Sequence, residues 1–452
     1  MTEKESQSEA EQGGGDRPFH SPMTLAGSRE AVDVVFRQSI MVGFPSSLCM
    51  VGGLMKRMFL GMVGLWASLS FLAAKPLKVY ILVGQSNMEG HAKISSFDHI
   101  GMDPKTVPML KEMRAEDGSP VVVDDVWISL RTGKEEDAPV AGKLTAGFGA
   151  RRNPAQSDDK IGPEFTFGIY TAKMVDGPIL IIKTAWGGKS IHTDFRPPSA
   201  GPYEFNESEL ANFKRQDKDL AAEKAAKKEA SGKYYRMMME HVKKVLADPG
   251  KVYPEYDSKD GYELEGFVWF QGWNDMVAGG VYPERGKPGG YDAYSEVLAH
   301  FIRDVRKDLE APKLPFVIGV MGAGGPTADY ESKRYVEVHQ SFRDAMAAPA
   351  SMPGFKGNVT AVLTEKYWDP ELGAIDEKRG KLRSKRREFQ KEGLKGKELN
   401  EAMEKFEAEL FTARDREVAK GITNAGYHYL GSAKVLGGIG KGFAEAVREL
   451  QK

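Results

Sequence analysis

Five short runs of consecutive apolar residues punctuate the chain: Leu77 to Val83, Pro178 to Thr184, Leu264 to Phe270, Phe316 to Met321 and Val359 to Thr364. None alternates strictly between apolar and polar positions, so each reads as a strand covered on both faces. Between them, segments such as Tyr234 to Ala247 and Tyr291 to Leu309 suit helices. Strands alternating with helices predict an α/β fold, a three-layer α/β/α sandwich around a mainly parallel five-stranded sheet. Val121 to Leu130 is a candidate for one further strand near an edge.

Two segments break this pattern. Residues 206–230 are rich in Lys, Glu, Asp and Ala and poor in large apolar residues. Residues 371–420 are more extreme, with Leu382, Phe389, Leu394, Leu399, Met403, Phe406 and Leu410 thinly spaced among charges. That spacing predicts a helical hairpin with one narrow apolar stripe and solvated faces, bent at Gly393 and Gly396. Both segments read as charged helical insertions in a single domain that starts at residue 75.

The amino end changes the expected compartment. Lys56-Arg57 precedes an apolar stretch from Met58 to Leu72 and then Ala73-Ala74, the order of a secretory signal peptide over residues 55–74. On this reading translation starts at Met55, residues 1–54 are a non-native or disordered extension, and the mature chain begins near Lys75. The protein is then secreted or periplasmic in a bacterium, and meets a membrane only if the segment stays uncleaved as an anchor. The one cysteine, Cys49, excludes an intramolecular disulfide framework and a thiolate-rich zinc site. With 63 basic and 64 acidic residues, nothing in the overall charge points to nucleic acid.

The chemistry collects after the strands. The first is followed by Gly84-Gln85-Ser86-Asn87, the second by Gly187-Gly188, and the third by Gln271-Gly272-Trp273-Asn274-Asp275. After the last strand and the charged insertion, His428 precedes a closing helix. Open α/β sheets place their ligands beyond the carboxyl ends of the strands, so these groups can share one crevice. A serine needs a base to become a nucleophile, and histidine serves near neutral pH. Glycine-flanked N–H groups and an asparagine amide are the donors a developing oxyanion requires. The glycine-rich stretch from Gly319 lacks both the dinucleotide and the P-loop spacing, which argues against nucleotide binding.

These residues carry a resemblance. "GQSNMEG", "WGGKS", "GWND" and "GYHYLGSA" resemble the four blocks of the SGNH hydrolases, in the branch of sialate O-acetylesterases and certain acetylxylan esterases. The resemblance implies a flavodoxin-like fold and a serine esterase with neither metal nor other cofactor, which removes O-acetyl groups from an acetylated oligo- or polysaccharide. It makes Ser86 the nucleophile, His428 the base, and Gly187 or Gly188 with Asn274 the oxyanion donors. Gln271 stands where the branch has the glutamine of its Gln-Gly-Glu loop. Asp194 and Arg196 are expected to line the pocket, as is His192.

One position departs from the family pattern. The acidic residue usual three places before the histidine is Ala425 here, with neutral Asn424 before it. Asp369 is the first candidate to replace it, because the insertion could loop out and bring it to His428; Glu365 and Asp275 are the alternatives. The missing acid also leaves open a catalytically impaired carbohydrate-binding protein. A lipid or aryl ester hydrolase of the same fold is the third possibility.

Overall fold

The computed structural model describes residues 75–151 and 159–452, so the extension 1–54 and the signal segment 55–74 lie outside the described residues. The strands are β1 (Leu77–Gly84), β2 (Ala92–Lys93), β3 (Val123–Arg131), β4 (Val140–Leu144), β5 (Lys160–Ile161), β6 (Ile179–Ala185), β7 (Tyr262–Phe270), β8 (Phe316–Val320) and β9 (Val359–Leu363). Seven form one sheet in the order β4-β3-β6-β1-β7-β8-β9. All neighbours run parallel except β4, which is antiparallel to β3. β2 and β5 make a separate two-residue ladder.

The five apolar runs are all strands of this sheet, but the sheet has seven strands rather than five. β4 was illegible because Val-Ala-Gly-Lys-Leu is mostly half-buried or exposed and offers no apolar run. β3 opens with exposed Asp124 and Asp125 and is buried only from Val126 onward. It lies near the edge as expected, one strand in, with β4 covering its outer side.

Helices cover both faces because successive strand residues point to opposite sides. Val79, Ile81 and Val83 of β1 pack with Phe267, Trp269 and the helices Lys233–Ala247 and Asp292–Asp308. Tyr80 and Leu82 face the other core, with Phe165 and Phe167 of the helix Pro163–Ala172. There Val435, Leu436, Ile439, Phe443 and Val447 form the buried stripe of the closing helix Ala433–Leu450.

The charged segments form helices on this frame. Glu207–Arg215 begins with an Asn206–Glu209 capping box, and Leu220–Ala230 is capped by Asp219. Pro370–Lys391 and Gly396–Leu410 pack against each other, with Gly393 and Gly396 in the left-handed region between them at φ 97° and 52°.

Three strand ends fix the position of the site. Gly84, the last residue of β1, is in register with Ala185 of β6 on one side and Phe270 of β7 on the other. The loops after all three strands therefore start side by side. Glycine is required at position 84, because a Cβ there would run into the Phe270 carbonyl.

Beneath these ends lies a buried charge. Lys183, in the otherwise uncharged β6, is fully buried and donates to Glu164 Oε2 at 2.6 Å, the Phe148 carbonyl at 2.8 Å and the Glu89 carbonyl at 2.9 Å. It ties the turn after β1 to the body of the sheet. Lys183→Met would strand the Glu164 carboxylate without a counter-charge, at a cost of about 3–5 kcal/mol. Urea denaturation is expected to show that loss, and to show a smaller one for Lys183→Met combined with Glu164→Leu.

Candidate active site

Ser86 opens a single helical turn, Ser86–Glu89, at the end of β1 and is 9% exposed. Gln85 before it binds the neighbouring loop. Its Oε1 accepts from the Gly272 N–H at 3.0 Å and Gln271 Nε2 at 3.2 Å, while its Nε2 donates to Asn274 Oδ1 at 3.0 Å. With its oxygen so engaged, Asn274 keeps its NH₂ group for another partner, and the side chain is half-buried at the crevice.

On the other side, Gly187 and Gly188 are exposed at the end of β6. A Cβ on Gly187 would stand 3.8 Å from Ser86 Cβ and 3.1 Å from Glu89 Oε2. The Gly187 N–H faces the Glu89 carboxylate, which also accepts from Thr132 Oγ1 at 2.7 Å. Burial raises the Glu89 pKa, opposed by these bonds and by the Lys183 charge. Gly188 adopts φ 73°, with open space where a side chain would be.

Asp275 locks the two loops together. It is fully buried and accepts from Ile191 N at 2.9 Å, His192 N at 3.1 Å and His192 Nδ1 at 2.8 Å on the β6 side. Gln271 Nε2 at 2.6 Å and Tyr282 Oη at 3.2 Å complete its shell. Burial alone would raise its carboxyl pKa, but the His192 charge and the donated hydrogen bonds outweigh it and the net shift is downward. Gln271 is buried too, its amide shared among Gln85, Asp275 and the Lys189 carbonyl, so it braces the loops and does not face the crevice. Asp194 accepts from Ser190 N and Oγ, and the Arg196 guanidinium donates to the carbonyls of His192, Ala200, Gly201 and Pro202. Both side chains hold the shape of their own loop.

His428 sits on a strained loop. Tyr429 and Leu430 both have positive φ, 52° and 61°, a conformation costing non-glycine residues of order 1–3 kcal/mol each. Surrounding contacts fix it. Tyr429 Oη accepts from the Gly322 N–H at 2.7 Å and bonds Thr364 Oγ1 at 2.6 Å, and the Leu430 carbonyl accepts from Thr423 and Asn424. Asn87 Nδ2, one residue after Ser86, donates to the Tyr427 carbonyl at 3.1 Å, joining the Ser86–Glu89 turn to this loop.

The partner of His428 is Asn424, not a carboxylate: His428 Nδ1 lies 2.9 Å from Asn424 Oδ1. Asp369 lies elsewhere. It caps the helix Pro370–Lys391 by accepting from Glu371 N and Leu372 N, and it pairs with Lys434 at 2.8 Å and with His99. The sequence Asp-Pro at a helix start favours that role. Glu365 is paired with Arg343, and Asp275 with His192. Burial pushes the His428 pKa down to about 4, and no charged neighbour offsets it. The His91 ring stacks on the His428 ring at 4.0 Å between centroids and 7° between planes. The sequence offers Asn424 only as a neutral residue, and assigns His91 no part in the site. The only sequence signal for either was its short spacing from His428 or Ser86.

A hydroxyl at a strand end, an imidazole whose Nδ1 is held by Asn424, and an amide NH₂ on the adjoining loop are group types that acyl transfer uses. The sequence profile described as "Carbohydrate esterase, sialic acid-specific acetylesterase" (SASA) matches residues 76–353, more than half of the chain. The chain belongs to this carbohydrate esterase family. The matched stretch holds the Ser86, Gly187 and Asn274 loops of the esterase and ends before the His428 loop. No curated protein matches. Similar solved structures include a protein from Arabidopsis thaliana (16% identity, TM-score 0.34, covering 64% of this chain and 86% of that one). Two others are a carbohydrate acetylesterase from Xanthomonas citri (15%, 0.33, 63% and 49%) and NanS (12%, 0.33, 64% and 78%).

In this esterase the Asp275 shell carries a direct test of how the loops are held. Asp275→Ala leaves buried donors on Ile191, His192, Gln271 and Tyr282 without their acceptor, which is expected to cost about 3–5 kcal/mol. Chemical denaturation checks this, and a loss below about 1 kcal/mol would mean that the loops hold without the carboxylate.

Proposed function

We propose that this carbohydrate esterase is a secreted serine enzyme that removes O-acetyl groups from a polysaccharide such as acetylated xylan, or from an acetylated sugar such as sialic acid. The observation that carries the reading is the alignment of β1, β6 and β7, which starts the Ser86, Gly187 and Asn274 loops side by side. The hydrogen bond from Asn87 to Tyr427 adds the His428 loop to the same crevice. Secretion rests on the segment 55–74 alone.

In the reaction, Ser86 Oγ attacks the acetyl carbonyl carbon while His428 Nε2 accepts the hydroxyl proton. The carbonyl oxygen becomes an oxyanion facing the Asn274 NH₂ group and the Gly188 N–H, since the Gly187 N–H is turned to Glu89. Collapse breaks the bond to the sugar oxygen, which leaves with the proton from His428, and an acetyl group remains on Ser86. Water, giving its proton to His428, then attacks that ester. Acetate departs, and Ser86 regains its proton from His428.

The purified protein, incubated with acetylated xylan and with O-acetylated sialic acid, is expected to release acetate from one of them. Ser86→Ala is expected to abolish that release. Asn274→Ala is expected to lower kcat by about 10²–10³-fold with KM little changed, the signature of a donor used in the transition state. Binding of the glycan with no acetate release, by wild type and Ser86→Ala alike, would make the protein a lectin-like relative. A preference for long-chain acyl esters would make it a lipid esterase.

A further inference from the structure

Among the described residues no carboxylate bonds the His428 ring, yet that ring is held on two sides. The Ala425 N–H donates to Asn424 Oδ1 at 2.8 Å. An N–H can only donate, so the atom it meets is the amide oxygen, and this fixes which way the Asn424 side chain points. That same oxygen lies 2.9 Å from His428 Nδ1, so Nδ1 must carry the ring proton. Nε2 is then left as the acceptor, the tautomer a general base requires. The other end of the amide, Nδ2, faces His91 Nδ1 at 3.4 Å. One amide thus touches both imidazoles, and the two rings lie nearly parallel, 4.0 Å apart. Tyr427 closes the remaining edge, its ring centroid 4.4 Å from that of His428.

We propose that Asn424 and His91 together are the positioning element of His428, an amide and a stacked ring that replace the acidic member of a catalytic triad. The inference rests on the reading of Ser86 and His428 as nucleophile and base. Asn424 sets the tautomer, and the stacked His91 ring sets the tilt of the imidazole and offers its π-face to the imidazolium formed in the transition state.

A carboxylate would stabilise the charged ring and raise its pKa; an amide does so only weakly. The consequence is an esterase whose base stays unprotonated in acid. The elements packed on the His428 loop are the Ser86–Glu89 turn, β2, the helix Pro370–Lys391 and the closing helix. Their titratable groups include Glu89, Lys93, Lys434 and Asp376, which would stand 3.3 Å from a Cβ on Gly426, with His91 beside them and Tyr427 on the loop itself. Lys434 is neutralised by Asp369 and Asp103, and burial is what shifts His428. The sign follows: activity is lost as pH falls through the depressed pKa, where the imidazole gains the proton that blocks it.

The test is the pH profile of kcat/KM for acetate release from a chromogenic acetyl ester, with the full-length protein. The wild type is expected to keep its activity down to an acid limb near about 4. Asn424→Asp, which keeps the shape and adds the charge, is expected to move that limb upward by about one to three pH units. Asn424→Ala is expected to lower kcat at least about tenfold with KM unchanged, because the tautomer is no longer fixed. His91→Ala is expected to lower kcat, and His91→Phe, which retains a flat ring, to recover most of it.

An acid limb that Asn424→Asp leaves in place would overturn the proposal, as would a His91→Ala profile identical to wild type. Because Asn424→Asp keeps the side-chain shape, its reading does not depend on the alanine variant folding. If Ser86→Ala retained activity, the assignment of the site would fall first; loss in Ser86→Ala with no effect at Asn424 or His91 would sink only the positioning role.

Discussion

The site depends on the register of three parallel strands. β1 ends on Gly84, flush with Ala185 and Phe270 of its neighbours, and each chain turns immediately afterward. Parallel strands present all their carboxyl ends on one edge of the sheet, so the residues after β1, β6 and β7 have no alternative but to meet. A side chain at position 84 would push β1 from β7 and disturb that alignment. The first three blocks of the family resemblance are, physically, one row of strand ends.

Register alone does not fix side chains, and buried polar groups do the rest. Gln85, Gln271 and Asp275 form a dry hydrogen-bond network that joins the turn after β1, the loop after β7 and the loop after β6. Such networks hold one arrangement because every alternative leaves a buried donor or acceptor unpaired. Lys183 repeats the logic one layer down, where its ammonium group meets Glu164 and the carbonyl of Glu89. The loops that carry Ser86 and Asn274 are therefore held in one arrangement, the preorganisation that the proposed catalysis requires.

The sequence made the sheet legible where burial was two-sided. Continuous runs such as Val79 to Val83 or Leu180 to Ile182 can only be interior strands, whereas β4, with Lys143 and Gly142 among five residues, has no such mark. Ser86, Gly187 and Asn274 stand out because motif and strand end coincide, whereas His428 follows the charged insertion and is marked by its motif alone. The support of His428 was not legible. Asp369 attracted attention through its charge and its place in the chain, but its carboxylate is occupied by the helix N–H groups and by Lys434. His91 meets His428 only because the Ser86 turn and the far end of the chain pack together, a contact that no local pattern announces. The polar atoms of Gln271, Asp194 and Arg196 are taken up by the loops themselves.

The central claim is that Ser86 and His428 function as one unit. The most direct measurement is covalent labelling by a serine-reactive fluorophosphonate, read by intact mass and peptide mapping. The account predicts a single adduct on Ser86 in the wild type and none in His428→Ala under the same exposure. An adduct on another serine such as Ser190, or equal labelling of Ser86 without the imidazole, would contradict it.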